Sequence, residues 1–197
     1  MVISSDMVKE LRQATGAGVL DCKKALEACD GDFDKAVAIL REKGLAAVAK
    51  RAGRTASDGM IGVYVHHVSR IAAMVELNCE TDFVALTGEF RTLAHDLAMQ
   101  VAAKQPQYLT REDVPPDVIE TEKQNYRAQM RDQGKPEHIL DRIVKGKLEK
   151  FYREACIMEQ SFIKDEDLTV KDLIVDAIAR TGENIVLRRF VRYEIAK

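Results

Sequence analysis

The chain has 197 residues, 46% of them hydrophobic, and its 30 basic and 32 acidic residues leave a net charge of −2. This length and composition support one medium domain or two small ones with a real core, and the balanced charge excludes global attraction to a phosphate backbone or an anionic membrane. No run approaches the roughly 20 uninterrupted apolar residues of a membrane helix, and Met1-Val-Ile-Ser-Ser-Asp-Met-Val-Lys-Glu10 lacks the pattern of a signal peptide, so a cytoplasmic location is expected.

The first segment predicts three short helices. Ser4-Ser5-Asp6 can cap the first, Met7, Val8 and Leu11 give it an apolar stripe, and Thr15-Gly-Ala-Gly18 breaks it. The second runs from about Val19 to Cys29 with Cys22, Ala25, Leu26 and Cys29 on one side, and ends at Asp30-Gly31. The third carries Phe33, Ala36, Val37 and Leu40 and is expected to close at Gly44. Together they read as a three-helix, ubiquitin-associated-like module over residues 1–45. Val19 and Leu20 are consecutive and cannot both face its interior, so one of them is expected to face solvent or a partner. Residues 46–59, alanine- and lysine-rich and then broken by Gly53, Ser57-Asp58 and Gly59, read as a short helical linker running into a loop.

Residues 60–197 read as an α+β core domain. Met60-Ile-Gly-Val-Tyr-Val-His-His67 and Arg70-Ile-Ala-Ala-Met-Val-Glu-Leu-Asn78 predict a hairpin closed near Val68-Ser69. After Thr81 the spacing turns helical. Thr81 or Asp82 can cap that helix by accepting from its free N–H groups, Phe83 sits in its first turn, and Phe90, Leu93, Leu97 and Val101 follow at i, i+3, i+7 and i+11 to an end near Lys104. Taken alone, Phe83 reads as ordinary core packing.

Pro115-Pro116 starts a further helix with Ile119, Tyr126 and Met130, and Pro136 can open the next at its first position, with Ile139, Ile143, Leu148 and Phe151 along it. A last helix from Val170 to Ala179 precedes a third strand within Asn184–Ile195. A three-stranded antiparallel sheet covered by helices is the natural assembly, which makes the fold class α+β.

Chemistry-bearing patterns are sparse. Cys22, Cys29, Cys79 and Cys156 show neither the close pairs of a zinc site nor the density of a disulfide scaffold. His66 and His67 are adjacent, so on a strand they point to opposite faces and do not share a metal. Neither a nucleophile elbow nor a complete phosphate-binding glycine loop is present, and Cys79, on a strand without a basic cluster nearby, reads as an inert thiol. No catalysis, cofactor, metal, nucleic acid or membrane contact is expected. Lys23-Lys24, Lys50-Arg51 with Arg54, and Arg188-Arg189 read as solvated surface.

Asn78-Cys-Glu-Thr-Asp-Phe-Val-Ala85 resembles the signature segment of the elongation factor Ts family, and three more segments resemble the same family. Thr15-Gly-Ala-Gly-Val-Leu-Asp-Cys-Lys-Lys-Ala-Leu26 is similar to its amino-terminal signature, Lys43-Gly-Leu-Ala-Ala-Val-Ala-Lys50 to its linker and Thr181-Gly-Glu-Asn-Ile-Val-Leu-Arg-Arg-Phe190 to its carboxy-terminal core strand. The resemblance implies a guanine-nucleotide exchange factor for elongation factor Tu in translation elongation, which binds the GDP-bound and nucleotide-free GTPase and disturbs its Mg²⁺ and phosphate site. It implies that Thr81, Asp82 and Phe83 meet the partner, with Phe83 as wedge and Asp82 as polar anchor, and that Arg12, Val19 and Leu20 grip a second surface.

The chain departs from the family at Leu86, where a basic residue is usual, at Val19-Leu20, in place of a methionine pair, and at Ser161, in place of a proline that would tighten the turn. It is short relative to members with a duplicated core half and a protruding helical hairpin. The resemblance therefore leaves open a homodimer formed through exposed sheet edges, with residues 60–197 as a dimerisation-type core. Another reading remains from the residues alone: an interaction adaptor acting through residues 1–45.

Overall fold

The computed structural model describes residues 3–51 and 53–195, with the backbone alone for Leu45 and Ala47. Its helices are α1 (Ser5–Thr15), α2 (Val19–Ala28), α3 (Phe33–Arg51), α4 (Asp82–Ala85), α5 (Gly88–Lys104), α6 (Pro116–Asp132), α7 (Glu137–Ala155) and α8 (Val170–Thr181). Its strands are β1 (Asp58–Val65), β2 (Ile71–Cys79), β3 (Ser161–Phe162), β4 (Asp165–Thr169) and β5 (Val186–Glu194). They form a three-stranded antiparallel sheet in the order β1-β2-β5 and a separate two-stranded pair, β3-β4. Two compact units divide the chain: Met1–Ile61 with Glu76–Ala94 and Asp172–Leu187, and Gly62–Val75 with His95–Lys171 and Arg188–Lys197.

In the first unit, Ser4 caps α1 by accepting from the Met7 N–H at 3.2 Å. The helix ends where Gly16, at φ 67°, donates its N–H to the Arg12 carbonyl at 2.8 Å. A side chain there would be strained by the backbone angle and would meet Cδ of Arg180 at 2.8 Å, so Gly16 answers two constraints at once. Val8, Leu11, Cys22, Ala25, Leu26, Ala36 and Leu40 form the buried cluster of α1–α3, with Met7, Phe33 and Val37 packed against it.

The third helix does not stop at Gly44 but runs to Arg51. The alanine- and lysine-rich stretch after Gly44 has high helix propensity, and Gly44 itself faces α8, where a Cβ would lie 3.8 Å from Cβ of Ala179 and 3.9 Å from Cγ1 of Val175. Arg41 adds an ion pair to Asp172 of α8 at 2.7 Å.

The β1–β2 hairpin closes as expected, with the Ser69 N–H on the His66 carbonyl at 2.6 Å and Ser69 at φ 54°. Ala73, Val75, Leu77 and Cys79 are buried in alternation along β2, the period-two pattern of a strand with one covered face. At the other end of the hairpin, Gly59 of the first unit lies against the β2 backbone.

The second unit contains an antiparallel helix pair. Pro116 occupies the first position of α6, whereas Pro136 is the residue before α7 rather than its first. The short connection turns at Gly134, φ 70°, and Arg131 to Glu137 at 2.6 Å and Arg127 to Asp141 at 2.7 Å join the helices beyond it. A helical hairpin is thus present despite the short chain. The buried stripe of α7 is Leu140, Val144, Leu148 and Ala155, one residue out of phase with Ile139 and Ile143 at its start.

The β3–β4 pair falls within a stretch that carries no strand signal of its own. Ser161 pairs with Thr169, and buried Gln100 and Gln160 hold the turn that proline would have held. Gln160 donates to the Glu154 carbonyl at 2.7 Å, while Gln100 donates to Gln160 and to the Ser161 carbonyl at 3.0 and 3.1 Å and accepts from the Ile163 N–H at 3.0 Å. The imidazoles of His66 and His67 do not diverge. They lie edge to face with centroids 4.7 Å apart, because β1 ends at Val65 and strand alternation no longer governs them.

Gly59, at φ 144°, has no room for a side chain: a Cβ would sit 2.2 Å from the Leu77 carbonyl oxygen and 2.7 Å from Cα of Asn78. Gly59→Ala is expected to destabilise the protein by about 2 kcal/mol or more and to lower the thermal midpoint by roughly 4–8 °C. Thermal unfolding followed by circular dichroism checks this, and an unchanged midpoint contradicts it.

Candidate functional site

The end of β2 and the short α4 present the most exposed large apolar side chain of the described residues. Phe83 is 80% exposed, and Leu86, three residues on, is 63% exposed. Burial as ordinary core is therefore overturned for Phe83, because the single buried anchor of α4 is Ala85. Leu86 extends the apolar surface beside Phe83 instead of offering the usual positive charge. Among the described residues the carboxylate of Asp82 has no hydrogen-bond or ion-pair partner, and the side chain is exposed.

Thr81 occupies the N-cap position with extended backbone (φ −133°, ψ 155°), but neither it nor Asp82 caps the helix through its side chain. The Thr81 hydroxyl instead donates to Oε1 of Glu183 at 2.6 Å. Oε2 of the same carboxylate accepts from the Glu80 N–H at 3.0 Å and the Thr81 N–H at 3.1 Å. The grip is mutual: Oε1 of Glu80 accepts from the Asn184 N–H at 2.6 Å and lies 3.5 Å from Nη1 of Arg54, while Nδ2 of Asn184 donates to the Arg54 carbonyl at 2.9 Å. Hydrogen bonds to a charged acceptor contribute about 1.5–3 kcal/mol each, so this constellation is the main local restraint on the turn that carries Phe83.

The residues around Glu183 explain the Thr181-Gly-Glu-Asn184 spelling. Gly182 ends α8 at φ 77° with its N–H on the Ile178 carbonyl at 3.0 Å, the left-handed stop that glycine serves best. The Thr181 hydroxyl donates to the Ala177 carbonyl at 2.8 Å and accepts from the Glu183 N–H at 3.3 Å. Glu183 is thereby aimed by its own neighbours. Neither Glu80 nor Glu183 stands out by sequence pattern, although both lie inside the segments that carry the family resemblance; the signal would have been an acid beside a turn at each strand end.

Arg12, Val19 and Leu20 gather at the α1–α2 turn and do not join the Thr81–Phe83 group on one element. Arg12 is exposed in the last turn of α1. Val19 and Leu20 are exposed by 50% and 72%, so both, and not one of the two, face outward. They open α2, directly after its N-cap residue Gly18. Arg180 of α8 lies against Gly16 at the end of α1, and Glu183, two residues beyond α8, binds Thr81.

The sequence profile of the family described as Elongation factor TS matches residues 24–177. The chain belongs to the elongation factor Ts family. It is 58% identical over 197 residues to an elongation factor Ts of Thermotoga maritima, covering 100% of this chain and 98% of the relative. To that of Carboxydothermus hydrogenoformans it is 56% identical over 196 residues, covering 100% and 90%. To that of Moorella thermoacetica it is 56% identical over 197 residues, covering 100% and 97%. The chain thus spans nearly the whole length of these elongation factor Ts proteins. Among the described residues no helix is long and apolar enough to cross a membrane, and no group of three or more His, Cys, Asp or Glu side chains is placed to hold a metal ion.

Two thiols have raised pKa values. Burial, and then the nearby Glu183 carboxylate, pushes Cys79 up to about 11 from the ordinary 9.0, and burial, followed by Glu159, does the same to Cys156. Cys79 donates its S–H to the Thr81 carbonyl at 3.1 Å, a packing role inside the turn and not a nucleophile's. A folded pKa above the unfolded one gives stability that is complete below the unfolded value and is lost as pH rises through the folded value. Unfolding free energy is accordingly expected to fall between about pH 9 and 11, with a shallower fall in a Cys79→Ala/Cys156→Ala variant. Denaturant titrations across that range test it; identical slopes in parent and variant contradict it.

Proposed function

We propose that this chain releases GDP from elongation factor Tu by inserting Phe83, with Asp82 beside it, between elements of the GTPase near its Mg²⁺ and phosphate site. The observation that carries this reading is Phe83 itself: a largely exposed phenyl ring on a turn restrained by charge-assisted hydrogen bonds, in a member of the elongation factor Ts family. A P-loop GTPase holds its nucleotide through a phosphate cradle and a Mg²⁺ ion fixed by loop side chains. A partner that displaces those loops weakens nucleotide binding without breaking a bond, so the protein acts as an exchange factor and not as a catalyst of a chemical reaction.

Energetics suit the role. Burying a Phe side chain is worth about 1.5–3 kcal/mol, and each tenfold loss of nucleotide affinity requires about 1.4 kcal/mol. Phe83 can supply one to two decades, with the remainder from Leu86, Asp82 and the second surface. By linkage GDP weakens the factor's binding by the same ratio as the factor weakens that of GDP, which lets incoming nucleotide expel the factor. In this reading residues 1–45 dock a second GTPase surface through Arg12, Val19 and Leu20, residues 46–59 link, and residues 60–197 carry the wedge.

Release of a fluorescent GDP analogue from elongation factor Tu tests the proposal. The parent is expected to accelerate release, Phe83→Ala to lose at least about tenfold of that acceleration while remaining folded, and Val19→Ala/Leu20→Ala to raise the concentration needed for half-maximal effect. A folded Phe83→Ala variant with full activity, or unaltered concentration dependence in the double variant, contradicts the corresponding assignment.

The same reading includes a homodimer. Its support is less a sheet edge than an apolar outer surface in the second unit, where Val63 and Val65 of β1, Met74 of β2, Val191 and Tyr193 of β5 and Ile195 just after it are exposed. Such surface is a ready site for a self-complementary contact. Sedimentation equilibrium is expected to show a concentration-dependent dimer that Val63→Lys/Tyr193→Lys disrupts; a parent monomeric at all concentrations contradicts it.

A further inference from the structure

We infer that Glu183 is a positioning residue for exchange: its carboxylate sets the angle at which Asp82 and Phe83 leave the end of β2. This rests on the reading of Phe83 as the wedge. Phe83 has little to orient it locally. The α4 helix has four residues and no side-chain cap bond, and so short a helix does not hold its shape by its own propensity. Nor is the ring packed, since four-fifths of it is exposed.

What restrains the turn comes from a distant part of the chain. At the end of β2 the backbone N–H groups of Glu80 and Thr81 leave the strand and point to Glu183, where one carboxylate oxygen takes both, at 3.0 and 3.1 Å. The other oxygen takes the Thr81 hydroxyl at 2.6 Å. Three bonds to one rigid planar group fix the Cys79–Glu80 and Glu80–Thr81 peptide planes and the Thr81 side chain, from which the chain leads into Asp82 and Phe83. The carboxylate is itself aimed by Gly182 at φ 77° and by the Thr181 hydroxyl, and Glu80 returns the grip on the Asn184 N–H at 2.6 Å. Removing Glu183 frees two N–H groups and a hydroxyl but leaves every partner-facing side chain in place. The fault is one of aim, not of contact.

That distinction has kinetic consequences. Docking through Val19 and Leu20 does not involve Glu183, so the half-saturating concentration stays unchanged while the maximal exchange rate falls. Glu183→Ala is expected to lose about tenfold of the maximal rate, the scale of one charge-assisted hydrogen bond. Glu183→Gln keeps a carbonyl oxygen for the two N–H groups, and the Thr81 hydroxyl can reverse to accept from the new amide, so most activity returns. Thr81→Val, which removes one of the three bonds, falls between parent and Glu183→Ala.

The experiment is GDP-analogue release from elongation factor Tu, measured over a concentration series for parent, Glu183→Ala, Glu183→Gln and Thr81→Val, with amide hydrogen exchange read at Glu80 and Thr81. The expected result is a lower maximal rate at unchanged half-saturating concentration in Glu183→Ala, rescue by Gln, and faster amide exchange confined to Glu80, Thr81 and their neighbours. A folded Glu183→Ala with the parent's maximal rate overturns the inference, as does one whose only change is a higher half-saturating concentration. Should Glu183→Ala fail to fold, Thr81→Val decides, and an undiminished rate overturns the inference. A parent that does not accelerate release overturns the exchange reading and this inference with it, whereas an active parent beside an unaffected Glu183→Ala overturns the inference alone.

Discussion

Two carboxylates, each accepting from the backbone beside the other, hold together the part of this protein on which its exposed chemistry depends. Glu183 binds the N–H groups that leave β2, and Glu80 binds the N–H that leads into β5. Bringing two acids together has a cost, offset here by three backbone N–H donors, the Thr81 hydroxyl and the Arg54 guanidinium. Arg54 is half exposed, and its contact with Glu80 at 3.5 Å is the weaker part of the arrangement. The backbone donors matter more, because their positions are set by the strand and by the end of α8.

From that restraint follows the division between scaffold and surface. The polar groups of the turn are satisfied inward, and among the described residues Phe83 and Leu86 are left largely exposed. The α1–α2 turn shows the same economy: Gly16 closes α1 against Arg180, the module's core is filled by Leu11, Cys22, Leu26 and their neighbours, and Val19 and Leu20 remain outside. Arg180 lies against Gly16 at the end of α1, and Glu183 holds the turn that carries Phe83. The buried thiols of Cys79 and Cys156, pushed up to about 11, stay protonated and pack as small apolar groups.

Much of the fold was legible because local pattern and final structure agree. The hairpin turn at Ser69, the cap at Ser4, the buried alternation of β2 and the break at Gly16 follow from backbone chemistry that neighbours in sequence can specify. Gly44 misled because a glycine reads as a stop, while its actual constraint is close packing against Ala179 and Val175. The α7 stripe shifted by one residue: Leu140 and Val144, and not Ile139 and Ile143, are the buried positions at its start, and local periodicity does not settle which of two neighbouring apolar rows is covered. Thr81 was legible as an N-cap residue by position but not by bonding, since the acceptor that takes its hydroxyl lies 102 residues away.

The sequence by itself determined the types of the longer elements, the family and the presence of an Asp-Phe pair where a strand hands over to a helix. Short-range preferences and segment likeness carry that much, as both depend on residues near one another in the chain. Only the tertiary structure decided that Phe83 faces outward, that both Val19 and Leu20 are exposed, and that Glu183 restrains the turn. Exposure and long-range hydrogen bonds depend on which segments come together in space, and a phenylalanine in a first helical turn is spelled the same way whether it is buried or presented.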